Sequence, residues 1–167
     1  MKRFLTLAAL LLLTAAPLTV SARTTLHHPV RVSIPAIELD APIQDMGINK
    51  KGELDVPSGK TNNVGWYADG TVPGEKGSAV FDAHVFAAFK NLNKARPGDD
   101  IYVTMSDGSE QHFVVEDSRL TPLKEVSSYF LFLRDDKPRL NLITCAGTYS
   151  KKAGTYDKRL VIFAVLD

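Results

Sequence analysis

The sequence contains a single cysteine, Cys145, among its 167 residues. One cysteine cannot form an intramolecular disulfide, so this chain is not a small disulfide-stabilised domain. Cys145 is then either a small buried hydrophobic side chain or a reactive thiol, and the presence of a single cysteine does not by itself favour either. It follows the run RLNLIT at residues 139–144 and precedes small and polar residues, which places it at the mouth of a predicted strand.

A strong net charge is also absent, since 20 basic and 19 acidic residues give a formal charge of +1. This balance argues against non-specific nucleic-acid binding, which requires a clustered basic surface. The sequence has no heptads, no repeats of fixed period and no low-complexity tracts, which excludes coiled coils and repeat arrays. The composition, 44% hydrophobic and 23% charged, is that of one soluble domain of ordinary size.

The one extended apolar run lies at the N-terminus and is short. A basic start at residues 2–3 precedes an apolar run over residues 4–16 and an A-x-A-like ending at residues 20–22. This order is typical of a secretory signal peptide, and the run is shorter than the ~20 residues of a membrane span. A cleaved signal and a retained membrane anchor both stay open for residues 1–22. In either case we expect residues 23–167 to form one domain outside the cytoplasm.

After the N-terminal segment the sequence alternates between short β-type runs and turn residues. Strands are predicted at 30–37, 78–85, 99–105, 110–117, 139–147 and 158–166, with an Asp-Gly hairpin turn at 107–108. Residues 52–59 and 61–77 are rich in Gly, Asn and Pro, which favours loop or edge. Apolar spacing of three predicts a short helix over 86–94, and a helical turn is expected near 127–133. We therefore expect an all-β fold, a closed or nearly closed eight-stranded barrel with one or two short helices.

A catalytic cysteine needs a base or a cation beside it, because the thiolate is the useful nucleophile. His84 ends the run SAVFDAHV, and strand ends are where side chains from several strands converge. We favour it over His112, which alternation places opposite Phe113, and over His27 and His28 near the N-terminus. The alternative is that His84 only hydrogen-bonds a neighbouring backbone group.

Arg159 opens the last predicted strand, 14 residues after Cys145. If the two strands are neighbours, the guanidinium group lies within reach of the thiol. Arginine keeps its charge and presents several donors at fixed angles, which suits stabilisation of an oxyanion during acyl transfer. The alternative is an ordinary surface arginine at a strand start.

Three segments in order resemble the sortases, cysteine transpeptidases that attach proteins to bacterial cell walls or to one another. They are GWYADGTVPGEKGSAVFDAHV, PGDDIYVTMSDGSEQHFVV, and LITC with the later KRLVIFAVL. The resemblance implies a sortase-like barrel and a Cys, His and Arg site at Cys145, His84 and Arg159. The short chain is most similar to class F-type sortases, although Ala83 stands where the family often has glycine before its histidine.

The resemblance also implies a reaction. Cys145 attacks the threonine carbonyl of an L-P-x-T-G-like sorting signal, and an amine from the cell wall or another protein then resolves the thioacyl enzyme. Thr144 is a candidate substrate contact, and the backbone N–H of Ala146 is a candidate second oxyanion donor. No metal or organic cofactor is needed. Some relatives bind calcium near the loop that here contains Asp135 and Asp136, which we interpret as solvated surface residues.

Two alternatives to the transpeptidase remain at this stage. The first is a secreted cysteine hydrolase, in which water takes the place of the amine. The second is a non-enzymatic β-barrel binding module with an inert cysteine. A cysteine context of the form S-x-G-C-x-R, typical of another transpeptidase fold, is absent around Cys145. No L-P-x-T-G motif with an apolar tail occurs, so the chain resembles the enzyme rather than its substrate.

Overall fold

The protein is an eight-stranded β-barrel in a computed structural model that describes residues 27–132 and 136–167. The strands are β1 (Pro29–Ile34), β2 (Leu39–Met46), β3 (Val64–Tyr67), β4 (Gly77–Asp82), β5 (Asp100–Met105), β6 (Glu110–Pro122), β7 (Pro138–Ser150) and β8 (Thr155–Leu166). One α-helix, α1 (Ser128–Leu131), and 3-10 turns at Pro35–Ile37, Leu92–Lys94 and Leu123–Glu125 complete the described elements. The predicted all-β barrel is confirmed.

The barrel closes in the order β1-β2-β3-β4-β7-β8-β6-β5, with β5 pairing back onto β1. Two pairs are parallel, β2 with β3 and β4 with β7, and the remaining pairs are antiparallel. The parallel β4–β7 pair matters most for function. It brings a strand from the middle of the chain beside the strand that carries the cysteine.

Strand alternation divides the apolar residues into an interior core and a second cluster on the outside. The core is filled by large buried side chains, among them Phe81, Phe113, Leu142 and Ile162. The second group, here called the outer cluster, consists of Val80, Ile143, Val161 and Leu131, with Leu54, Tyr67, Val126, Phe132 and Phe163 packed against it. Successive strand residues point to opposite faces, so the outer cluster lies on the outer face of β4, β7 and β8.

The connection before β7 packs over the outer cluster. Val126 and Phe132 are half-buried against it, and Leu131 of α1 is buried within it. Asn141 Nδ2 donates a hydrogen bond of 2.7 Å to the carbonyl oxygen of Leu131, which ties α1 to β7. The predicted helical turn at 127–133 is confirmed, although the helix is confined to four residues.

Two expectations from the sequence are wrong. Residues 64–67 form β3, which is largely buried between β2 and β4, not a loop or an edge. Residues 86–94 form consecutive turns ending in a 3-10 helix, with bonds such as Lys90 N–H to Ala87 O at 3.1 Å, not an α-helix. The apolar spacing of three residues reflects that three-residue hydrogen-bond period.

The N-terminal segment of residues 1–22, predicted to be a signal or an anchor, lies outside the described residues. Within the described ranges, no helix is both long and apolar enough to span a membrane.

Candidate active site

Strand register relates the three predicted catalytic residues, here called the row: two lie in the β7–β8 ladder, and His84 lies just beyond the end of β4. Cys145 of β7 lies directly opposite Arg159 of β8 in the antiparallel ladder. On the other side of β7, the last parallel pair with β4 is Asp82 with Ile143. His84 lies two residues beyond Asp82, where β4 ends, as Cys145 lies two residues beyond Ile143. If the register is extended by two residues, it sets His84 level with Cys145.

This row lies on the outside of the barrel, next to the outer cluster. Ile143 precedes Cys145 by two residues, and Val161 follows Arg159 by two. Side chains two or four positions apart in a strand share a face. Cys145 and Arg159 therefore continue the surface that the outer cluster begins.

The thiol of Cys145 is free and only partly buried. It borders a cleft of about 440 Å³, whose other walls include Phe86, Lys90, Tyr156 and Leu160. The β7–β8 ladder becomes irregular directly after Ala146, where Gly147 adopts a φ of +83°. The sulfur thus lies where the regular ladder ends, which makes a buried, inert cysteine a poor description of this residue.

The ring of His84 contacts the ring of Phe86 and lies close to the backbone at Gly59. It stacks on the ring of Phe86, with centroids 4.8 Å apart and planes inclined by 13°. Gly59 covers these rings so closely that an added Cβ there would lie 3.2 Å from His84 Cδ2. In the part of the chain that the structure describes, neither ring nitrogen of His84 has a hydrogen-bond partner, so both are available to a thiol or a substrate.

The guanidinium group of Arg159 is anchored to the start of its own strand. Nη1 donates to the carbonyl oxygens of Tyr156 at 3.2 Å and Lys158 at 2.9 Å, and Nη2 donates to Thr155 Oγ1 at 3.2 Å. These bonds hold the group partly buried opposite the cysteine and leave Nε without a partner among the described residues. An anchored cation with donors to spare is suited to binding a substrate oxygen.

A family model described as the sortase domain matches residues 32–167, which is most of the chain. This chain belongs to the sortase family. The match confirms the resemblance seen in the three sequence segments, and the sortase is an enzyme, a cysteine transpeptidase. That decides against the inert binding module. The class F assignment stays a prediction.

Solved sortase structures share the fold of this sortase at low sequence identity. Sortase C from Clostridium perfringens SM101 has 23% identity and a TM-score of 0.59 over 83% of this chain and 70% of its own. A lid mutant of sortase A from Corynebacterium diphtheriae has 22% identity and a TM-score of 0.63 over 83% and 69%. The sortase D5 transpeptidase of Clostridium perfringens has 18% identity and a TM-score of 0.63 over 84% and 79%. No protein of curated function matches this sequence.

Thr144 and Ala146 flank the cysteine of the sortase on either side. Thr144 is 4% exposed, and its hydroxyl donates a 2.7 Å hydrogen bond to the carbonyl oxygen of Ala83. That bond joins the cysteine strand to the residue before His84. Ala146 is half-buried and borders the cleft beside Cys145. Their contacts with a substrate stay predictions.

Asp82 lies close to the site, and no role was predicted for it from the sequence. It is 8% exposed and lies two residues before His84 on β4. Burial, and to a smaller extent the charge of Asp55, raises the pKa of Asp82 to about 8. The signal in the sequence was a carboxylate inside an otherwise apolar strand, SAVFDAHV.

The remaining histidines of the sortase lie away from the row. His112 bridges two carboxylates, with Nε2 at 2.8 Å from Asp100 Oδ1 and Nδ1 at 3.3 Å from Asp167 Oδ2. His27 Nε2 lies 3.2 Å from Oδ2 of Asp107, in the turn between β5 and β6. These contacts give both residues structural surroundings unrelated to Cys145.

No set of three or more His, Cys, Asp or Glu side chains within residues 27–132 and 136–167 could hold a metal ion. Asp135 lies outside the described residues. Asp136 is exposed, and its Oδ1 lies 3.9 Å from Lys76 Nζ.

Proposed function

We propose that Cys145, His84 and Arg159 are the catalytic residues of this sortase, and that its substrate is an L-P-x-T-G-like sorting signal. One observation carries the proposal: Cys145 pairs with Arg159 in the β7–β8 ladder, and the hydroxyl of Thr144, beside the cysteine, bonds to the carbonyl oxygen of Ala83, the residue before His84. The thiol, the imidazole and the guanidinium group supply the nucleophile, the proton carrier and the oxyanion donor that acyl transfer needs.

In the first step, the sulfur of Cys145 attacks the threonine carbonyl carbon of the signal, and His84 takes up the thiol proton. A C–S bond forms, and the Thr–Gly C–N bond breaks. The protonated His84 returns its proton to the departing amine, so the C-terminal fragment leaves with a neutral amino group. The product is a thioester between the threonine carbonyl and Cys145.

In the second step, the amine of an acceptor attacks the thioester carbon. His84 removes a proton from the incoming nitrogen, a new C–N bond forms and the C–S bond breaks. The proton then passes from His84 to the departing sulfur, which restores the Cys145 thiol. The cleft bordered by Phe86, Lys90 and Tyr156 supports this step, because it offers the acceptor a route to the sulfur.

Negative charge develops on the carbonyl oxygen in both steps. Arg159 donates to that oxygen, helped by its anchoring to the carbonyls of Tyr156 and Lys158. The backbone N–H of Ala146 is the proposed second donor. Thr144 is placed to steady the row through Ala83, and we propose that it also meets the substrate near the cysteine.

Sortases usually act outside the cytoplasm, on sorting signals and amine acceptors. For this sortase we propose that residues 1–22 direct export and either are removed or anchor the enzyme on the outer face of the cytoplasmic membrane. The acceptor amine would then come from the cell wall or from another surface protein.

The test is mass spectrometry of the purified full-length protein with an L-P-x-T-G peptide and a glycine-based amine, beside Cys145→Ala. A ligated product that is lost in the variant supports the proposal. Cleavage that stays hydrolytic when the amine is in excess supports the hydrolase alternative. If the peptide is untouched while Cys145 alkylates readily, the proposed signal is wrong.

A further inference from the structure

Between β2 and β3, residues 55–60 cross the outside of the barrel and reach the site. Pro57 in this segment is buried, whereas Asp55, Ser58 and Gly59 are exposed. At one end, the N–H of Asp55 bonds to Gly47 O at 3.0 Å. At the other end, Gly59 packs on the stacked rings of His84 and Phe86. The segment therefore borders the rings of His84 and Phe86.

The carboxyl group of Asp82 meets this segment over a glycine. Gly65 of β3 pairs with Asp82 in the ladder, and its missing side chain leaves a space. A Cβ at Gly65 would lie 2.9 Å from Pro57 Cδ and 2.6 Å from Met46 Cγ, and Asp82 Oδ1 lies closer still. Asp82 and Pro57 thus fill the same small space above β3.

The surroundings of this carboxyl group disfavour a charge. The elements packed against it contribute Gly65 from β3, Met46 from β2, Ile143 from β7 and Pro57 from the segment, none of which titrates. The charged group that acts on it is Asp55, and like charges disfavour ionisation further. Along the chain the nearest titratable group is His84, two residues later and beyond the end of β4.

We propose that Asp82 is a positioning residue, whose carboxyl group seats residues 55–60 against β4 and thereby fixes the ring of His84. This inference rests on the proposed catalytic role of His84. When Asp82 ionises, the new charge must gain water and faces Asp55, and both demands push the Pro57 segment outward. Gly59 then leaves the His84 and Phe86 rings, and the imidazole loses one side of its support.

The experiment is amide hydrogen exchange of the full-length protein between pH 6 and 9, corrected for the intrinsic pH dependence of exchange. In the wild-type protein, we expect protection of residues 55–60 to fall about tenfold from pH 7 to pH 9, following ionisation of one carboxyl group. In Asp82→Asn, protection of this segment stays level, because the amide cannot ionise. Peptides from β5 serve as the internal control and show no such change in either protein.

Kinetic profiles on the same proteins test the link to catalysis. The wild-type kcat for transpeptidation should fall above pH 8, and the fall should be absent in Asp82→Asn, with little effect on KM. If Asp82→Asn does not fold, Asp55→Asn decides the question, because removing the neighbouring charge must move the exchange transition to lower pH. An unmoved transition overturns the proposal, as does wild-type behaviour in a folded Asp82→Asn.

The two proposals fail in different ways. If exchange follows the prediction but no peptide is ever ligated, the seating role of Asp82 stands and the proposed function falls. If ligation proceeds with the same alkaline limb in wild type and Asp82→Asn, the function stands and the positioning role is wrong.

Discussion

Asp82→Asn should stabilise this sortase at neutral pH, although it removes a buried acid. The pKa of Asp82 lies near 8 in the folded protein and near its ordinary value of 3.8 in the unfolded chain. Between these values the folded protein keeps a proton that the unfolded chain has released. The free energy of unfolding of the wild-type protein therefore falls as pH rises across this window and levels off above about 8.

The size of the effect follows from the span of the window. A pH of 7 is roughly three units above the pKa of Asp82 in the unfolded chain, and each unit contributes about 1.36 kcal/mol to the free energy of unfolding. The upper bound is thus about 4 kcal/mol. Water that enters beside the exposed Asp55 should make the effect smaller than this bound. We therefore expect Asp82→Asn to raise the free energy of unfolding by about 2 to 4 kcal/mol more at pH 7 than at pH 4.

Urea unfolding measures this directly. Trp66 is the only tryptophan and is 3% exposed, so its fluorescence reports on barrel opening. Curves for wild type and Asp82→Asn should converge at pH 4 and separate by pH 7. Asp45→Asn is the matched control, since it removes an exposed carboxylate from β2, which is separated from β4 by β3. A difference between wild type and Asp82→Asn that is the same at pH 4 and pH 7 would refute the reasoning, because it would mean that Asp82 ionises normally in the fold.

Three further predictions concern Arg159 and two residues close to Cys145 on β7. Thr144→Val leaves the Ala83 carbonyl without its buried donor and should cost about 1 to 3 kcal/mol in urea unfolding, with Thr144→Ser restoring most of the loss. Arg159→Lys keeps the charge but loses the guanidinium fork, so kcat in a ligation assay should fall about 10²-fold or more, and an unchanged kcat would remove Arg159 from the mechanism. Gly147→Ala places a Cβ against Asp157 Oδ1 at a φ of +83°, so the variant should unfold at a lower urea concentration and its Cys145 should be alkylated more slowly. Gly108→Ala controls for backbone strain alone, because Gly108 has a similar φ of +84° with open space around it.

Much of the site could be predicted because its residues end strongly patterned strands. The runs before His84 and Cys145 are apolar or alternating, so their strand character and their ends were readable from the sequence. Arg159 was less certain, because its value depends on β8 lying beside β7, which only pairing decides. The geometry of the row, with Cys145 opposite Arg159, is a property of the register and not of any one segment.

The parts that sequence missed depend on contacts between distant residues. Residues 64–67 include a glycine and are flanked by Asn and Asp, so they lack the alternation of a typical strand. They form β3 because β2 and β4 supply partners on both sides. The surroundings of Asp82 likewise combine Gly65, Pro57 and Asp55, which come from a different part of the chain. Local pattern carries no information about such a meeting.

The parallel pairing of β4 with β7 has a consequence for the order in which the protein folds. The bond from Thr144 to Ala83 spans 61 residues, and the proposed trio needs β8 as well. Contacts of such sequence separation form late and slowly in β proteins, because a long loop must close first. A chain whose barrel has not yet closed carries Cys145 without β4 and β8 beside it. The topology thereby times the appearance of the nucleophile to the completion of folding.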